Sequence, residues 1–128
     1  MANITPTEER VTGMVGVVIY TWANMLVTDV GLSVAAPHYP DKCVQVEGTF
    51  GAAGAVTIQG SLYTTTPTWS TLNDANGNAL AIATAGPSGV SHIETILENV
   101  YQIRPNVLTG DGTTSLTVKL LCSTQARR

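Results

Sequence analysis

Apolar and polar residues alternate cleanly from Cys43 to Phe50. Val44, Val46 and Phe50 share one parity, and Gln45, Glu47 and Thr49 share the other. Strict alternation of this kind predicts a β-strand with one wet face. Ala55–Ser61 alternates again with Val56 and Ile58 inward, after the turn Gly51-Ala52-Ala53-Gly54. Together these segments read as the clearest β-hairpin of the chain. Met14–Trp22 is rich in β-branched and aromatic residues and predicts another strand. Leu26–Ala35 predicts a short one that Asp29 and Gly31 are placed to break, and Pro37, Pro40 and Asp41 then form a turn cluster.

The second half follows the same rhythm. Trp69–Leu72 and Ala79–Thr84 read as short strands around the turn Asn73–Asn78, and Ala85–Gly89 reads as another turn. Val90–Glu98 is less clear-cut, because Ile93, Ile96 and Leu97 also fit a helical spacing; the surrounding pattern favours strand. Tyr101–Val107 alternates, with Pro105 pointing to an edge or a bulge. Thr109–Thr113 reads as a hairpin turn into the last strand, Ser115–Leu120. Turn signals at roughly eight- to twelve-residue intervals mark an all-β fold. The expectation is a single-domain antiparallel β-sandwich, or a jelly-roll-like fold, of about seven to eight strands. It is bounded as an N-terminal arm over 1–13, a sandwich domain over 14–122 and a C-terminal tail over 123–128.

Composition narrows the function. A length of 128 residues is room for one domain. Apolar residues make up 44% and charged residues 12%, about half the usual charged share, which argues against disorder. Two of the six basic residues are Arg127 and Arg128; the others, Arg10, Lys42, Arg104 and Lys119, are scattered. No basic stripe remains to displace counterions from a phosphate backbone, so no nucleic-acid partner is expected. Val11–Thr28 is uncharged and long enough to raise a membrane span. Its Thr12, Thr21, Asn24, Gly13 and Gly16, its β-branched run and its end in Asp29 with no basic flank make it a buried strand instead, with no membrane partner. The first ten residues lack the pattern of a secretory signal.

Candidate chemistry is sparse. Cys43 and Cys122 allow one disulfide at most, and read as core or strand residues. His38 and His92 stand far apart without metal-ligand spacing, so no metal and no cofactor is assigned. Ser88, in Gly86-Pro87-Ser88-Gly89, is not a nucleophile elbow. Asp74-Ala75-Asn76-Gly77-Asn78 lacks the glycine position and closing glutamate of a calcium loop and reads as an Asx turn. Glu94 and Glu98 could pair as acid and base, but nothing in the sequence sets their separation. No catalytic residue is assigned, and the chain reads as a non-enzyme. Among the aromatics, Trp22 and Trp69 read as core anchors between two sheets, while Tyr39 and Tyr63, in turn-like segments, are the candidate exposed aromatics.

Over roughly the last two thirds of this one-domain chain the pattern becomes familiar. Val44-Gln45-Val46-Glu47-Gly48-Thr49-Phe50-Gly51 is followed by Val56-Thr57-Ile58-Gln59-Gly60-Ser61, Trp69-Ser70-Thr71-Leu72 and Gly77-Asn78-Ala79-Leu80. Ile103-Arg104-Pro105 and Thr109-Gly110-Asp111-Gly112-Thr113-Thr114 complete the series. In order and spacing these segments resemble the capsid decoration (cement) proteins of tailed bacteriophages. The resemblance implies a virion protein without catalytic residues, on the outer capsid surface, assembled in the host bacterial cytoplasm. Its implied partners are the major capsid protein and itself, as a homotrimer or homodimer. The chain departs from the family at Leu62–Thr68, where an Asn-Asp-Gly turn is usual, so no binding role passes to that loop. Within the arm, Ile4, Thr5, Pro6 and Thr7 are the candidate partner-binding residues. The alternative is a receptor- or glycan-binding β-sandwich of a head fibre or tail. Exposed Tyr39, Tyr63 and Trp69 would favour that alternative; buried tryptophans and a flat apolar patch would favour the cement protein.

Overall fold

A computed structural model describes residues 2–83 and 91–124. The first strands are β1 (Asn3–Ile4), β2 (Thr7–Arg10), β3 (Val17–Leu26), β4 (Val30–Gly31), β5 (Val34–Ala35) and β6 (Asp41–Thr49). They are followed by β7 (Ala55–Ser61), β8 (Ser70–Thr71), β9 (Ala81–Ile82), β10 (Ser91–Thr95), β11 (Gln102–Thr109) and β12 (Ser115–Ser123). A five-stranded sheet runs β10-β6-β12-β3-β2. A seven-stranded sheet runs β1-β4-β11-β7-β8, with β5 also on β11 and β9 also on β7. All pairs are antiparallel except β1 with β4. The all-β expectation holds. Its strand count was too low because the N-terminal segment supplies β1 and β2 and the single strand expected over Leu26–Ala35 is two, β4 and β5. The turn read at Ala85–Gly89, with Ser88, lies outside the described residues.

The two inner faces meet in one core. Val18, Trp22, Val44, Val46, Leu116, Val118 and Leu120 come from the five-stranded sheet, and Val56, Ile58, Ile82, Ile103 and Val107 from the other. On β6 and β7 these are the inward parities read from the sequence. Trp22 joins the sheets most directly: its ring is buried, and its Nε1 donates to the Leu32 carbonyl at 2.9 Å. The indole lies so close to Gly31 that a Cβ there would fall 2.6 Å from Pro105 and 2.7 Å from Trp22. Pro105 sits in the middle of β11, not at an edge. Residues of its parity turn their backbone toward β4 and β5, since Val107 N–H donates to Asp29 and the Tyr101 carbonyl accepts from Ala36. Pro105 falls between the two short strands, where no ladder bond requires its missing N–H. The bulge lies just beyond it, between Asn106 and Thr109.

Both expected hairpins are instead arches that carry the chain from one sheet to the other. β6 pairs with β10 and β12 while β7 pairs with β11, β8 and β9, so the Phe50–Gly54 turn crosses the sandwich. The turn after Thr109 crosses it as well, from β11 to β12. Turn residues fix a reversal of direction but not which sheet receives the next strand. The two arches are fastened together. Asp111 accepts from Ala52 N–H at 2.8 Å, from Thr113 N–H at 2.8 Å and from Thr113 Oγ1 at 2.6 Å. Thr114 Oγ1 donates to the Phe50 carbonyl at 2.7 Å, and Thr109 Oγ1 to the Ala53 carbonyl at 2.7 Å. The Thr113 hydroxyl, then the backbone N–H donors, hold the Asp111 carboxyl down at about 2, from 3.8. A depressed carboxylate stabilises the fold above its unfolded value and ceases to do so as pH falls through its folded value. The wild-type melting temperature is therefore expected to drop between pH 4 and pH 2 by more than that of Asp111→Asn. Parallel acid dependences in thermal melts of the two proteins would show that the arches are not held by this charge.

The N-terminal segment read as an arm is part of both sheets. β1 pairs Asn3 with Val30 and Ile4 with Gly31, and β2 pairs Thr7–Arg10 with Thr21–Val18. The Ala2 N–H donates to buried Asp29 at 3.1 Å. Edge strands need backbone partners rather than apolar side chains, so a polar sequence containing Pro6 still pairs.

Candidate functional site

The outer face of the five-stranded sheet carries apolar residues where a solvated face would carry polar ones. On β12, Leu116, Val118, Leu120 and Cys122 point inward, which turns Lys119 and Leu121 outward. Leu121 lies directly between Ile19 of β3 and Cys43 of β6. One step along, Lys119 lies between Thr21 and Gln45, and Gln45 faces Ile93 of β10. The result is an apolar row, Ile19–Leu121–Cys43, flanked by Ile93, across four neighbouring strands. Ile93 is 59% exposed and Leu121 37%. The row lines a shallow depression of ≈ 240 Å³, in which Lys119 and Gln45 are the polar residues.

The outer face of the seven-stranded sheet is different in kind. Gln102, Arg104 and Asn106 of β11 stand opposite Ser61, Gln59 and Thr57 of β7. Arg104 Nε donates to Gln59 Oε1 at 2.9 Å, and its guanidinium lies 4.2 Å from the centre of the Trp69 ring. Gln102 accepts from Ser33 Oγ at 2.6 Å and donates to the Tyr63 carbonyl at 2.7 Å. This is an amide-rich face with one fixed cation.

The sequence-named residues are dispersed. Tyr39, expected at the surface, is 5% exposed. Its segment is turn-like, but the backbone is satisfied internally: buried Lys42 donates from Nζ to the Tyr39 carbonyl at 2.6 Å and to Asn99 Oδ1 at 3.2 Å. Tyr63 is exposed as expected, at 59%. Trp22 is a core anchor, whereas Trp69 is only half-buried, beneath Arg104. With Tyr39 buried, Tyr39, Tyr63 and Trp69 do not make the exposed aromatic cluster that would have favoured the receptor- or glycan-binding alternative. Ile4 is half-buried against the core on the seven-stranded side, and Thr7 begins β2 on the other side, with Thr5 and Pro6 crossing between.

No disulfide joins Cys43 and Cys122, which lie on adjacent strands but opposite faces, since Cys43 is registered with Leu121 and Cys122 with Lys42. Burial pushes the Cys122 thiol up to about 12, which keeps it protonated and unreactive at neutral pH. Glu98 is held by Asn73. It accepts from the backbone and side chain of Asn73 at 2.8 and 2.5 Å, and although burial raises its carboxyl, these bonds bring the net shift below the usual value. Asp74 accepts from the N–H groups of Asn76 and Asn78, as an Asx turn should. Among the described residues no group of three His, Cys, Asp or Glu side chains could hold a metal ion, and no helix is long and apolar enough to cross a membrane.

Ile19, Leu121, Ile93 and Arg104 were not singled out from the sequence. A signal existed for the first two. Leu120-Leu121-Cys122 and Val17-Val18-Ile19 interrupt the alternation, and in a sheet with one buried face the extra apolar residue must point outward. The Arg104–Trp69 pair joins residues far apart in the chain and leaves no local pattern.

No protein-family model matches this sequence, and no curated protein matches it. Among solved structures, the chain is similar to the crystal structure of the SPBc2 prophage-derived protein YomS, with a TM-score of 0.50 and 12% sequence identity. The alignment covers 89% of this chain and 98% of YomS, so the likeness of fold extends over essentially the whole sandwich.

Proposed function

We propose that this protein is a non-enzymatic bacteriophage virion component that decorates and cements the outer capsid surface. It bridges neighbouring major capsid protein subunits, and docks through the outer face of its five-stranded sheet. The observation that carries this reading is the Ile19–Leu121–Cys43 row with Ile93, a contiguous apolar strip across four neighbouring strands of one sheet. Buried interface cores are depleted in charge and enriched in apolar area relative to ordinary surface. The resemblance of Val44–Thr114 to decoration proteins supports it, as does the prophage origin stated for YomS. The buried Tyr39 and the occupied face of Trp69 count against an aromatic glycan platform. A cement protein needs no reaction: it adds contact area across joints, and a homo-oligomer, a trimer or a dimer, multiplies weak contacts into stable attachment.

The test is co-sedimentation of purified protein with expanded phage shells lacking it, counting copies per shell. Saturable binding at a copy number that matches shell symmetry is expected. Leu121→Asp, a surface change that leaves the core intact, is expected to weaken binding by about tenfold or more, the effect of losing a hot-spot contact. Absence of binding well above micromolar concentration would sink the capsid role. Unchanged binding of Leu121→Asp would remove this face from it.

A further inference from the structure

We infer that the outer face of the seven-stranded sheet is a second recognition site, which captures a carboxylate-bearing peptide segment through Arg104. This site lies on the opposite face from the capsid-docking strip and does not depend on that reading.

Arg104 is unusual among the described cations of the chain. Trp69 covers one face of its guanidinium at 4.2 Å, and Gln59 fixes its Nε edge at 2.9 Å. Among the described residues its two Nη groups have neither a hydrogen-bond acceptor nor an ion-pair partner. A planar fork with its orientation already fixed loses little freedom when it binds a carboxylate with two parallel hydrogen bonds. Burial also lowers the Arg104 pKa, the mark of a cation that has given up water without gaining an anion.

The surroundings narrow the ligand. Arg104 lines a groove of ≈ 440 Å³, and no aspartate or glutamate lines that groove with it. Asn3 supplies an exposed amide, and Val30 and Leu108 supply aliphatic wall, while buried Asn106, which donates to Gln59 at 3.5 Å, lines the floor. Leu108 is 55% exposed, an apolar side chain on the rim of a polar face. One fixed positive charge, an amide able to meet a peptide backbone and an aliphatic wall match an acidic residue flanked by an aliphatic one. A sugar ring would need an aromatic face to stack on, and no aromatic residue lines this groove.

The experiment is an NMR titration of the full ¹⁵N-labelled chain with two blocked peptides, acetyl-Leu-Asp-Leu-amide and acetyl-Leu-Asn-Leu-amide, at low salt. The acidic peptide is expected to shift the Arg104 Nε–H and the Asn106 side-chain amide, saturating near or below about 1 mM. The neutral peptide is expected to bind at least about tenfold more weakly, for want of the charge-assisted pair. Arg104→Gln is expected to abolish the response. Because that change also frees Trp69, Leu108→Ser is a second variant, on a mostly exposed side chain, expected to weaken binding several-fold in a folded protein. No shift at about 10 mM acidic peptide, or equal shifts with both peptides, overturns the proposal. If glucuronate moves these resonances at concentrations where the acidic peptide does not, the site belongs to an acidic sugar and the peptide assignment fails.

Discussion

Trp22→Ala is expected to destabilise the protein by about 3–5 kcal/mol, the range for emptying a large aromatic site in a core. Single domains of ordinary stability have about 5–15 kcal/mol in total, so this one change removes roughly a fifth or more of it. Three features concentrate the effect. The ring is 1% exposed, it fills the space above Gly31 and beside Pro105, and its Nε1 satisfies the Leu32 carbonyl between β4 and β5. The seven-stranded sheet is interrupted at that point, so the tryptophan substitutes for ladder bonds that two-residue strands cannot make. Trp22→Phe separates the contributions: most ring volume stays while the hydrogen bond is lost, at about 1–3 kcal/mol for an orphaned carbonyl. Urea denaturation of the three proteins measures both. A midpoint for Trp22→Ala close to wild type would mean that the sheets are held together elsewhere.

The second large effect is expected at Lys42. Its side chain is 1% exposed and paired across β6 and β12 with Cys122. Burial lowers its pKa, and the neighbouring Asp41 carboxylate opposes this in part. What retains it is the Tyr39 carbonyl at 2.6 Å and Asn99 at 3.2 Å. Lys42→Ala leaves the Tyr39 carbonyl without its donor, at about 1–3 kcal/mol. Removing the buried methylenes adds roughly 2 kcal/mol, for a total of about 3–5 kcal/mol. Lys42→Met keeps most of the stem and is expected to lose only the first part. If Lys42→Met instead matches or exceeds wild-type stability in thermal melts, the amine is a burden on the core rather than a strut for the Tyr39 segment.

Side-chain alternation made the strands that face the core legible, because burial on one face forces a period of two. Val44 and Val46, Val56 and Ile58, and Leu116, Val118 and Leu120 all point as their parity requires. Pairing was not legible, because it is made by the backbone. Gly51–Gly54 and Thr109–Thr113 have good turn chemistry, yet each leads into the opposite sheet. Thr7–Arg10 presents four exposed side chains and is held in place entirely by its hydrogen bonds to β3. Tyr39 was misplaced for a related reason: a turn can lie inside when a residue such as Lys42 satisfies it. Of the two candidate faces, the apolar strip left a trace in doubled apolar residues, and the Arg104 groove left none.

The two arches also govern when the fold can form. Consecutive long strands never pair with each other here: β6 waits for β10 and β12, and β7 waits for β11. The middle of the five-stranded sheet is β12, which leaves the ribosome after every other described strand. Until it arrives, β3 and β6 have no common neighbour and each keeps one backbone edge unpaired. A topology of such distant pairings folds in milliseconds to seconds rather than microseconds. During synthesis the nascent chain must therefore keep two open strand edges apart from other chains until β12 closes the sheet.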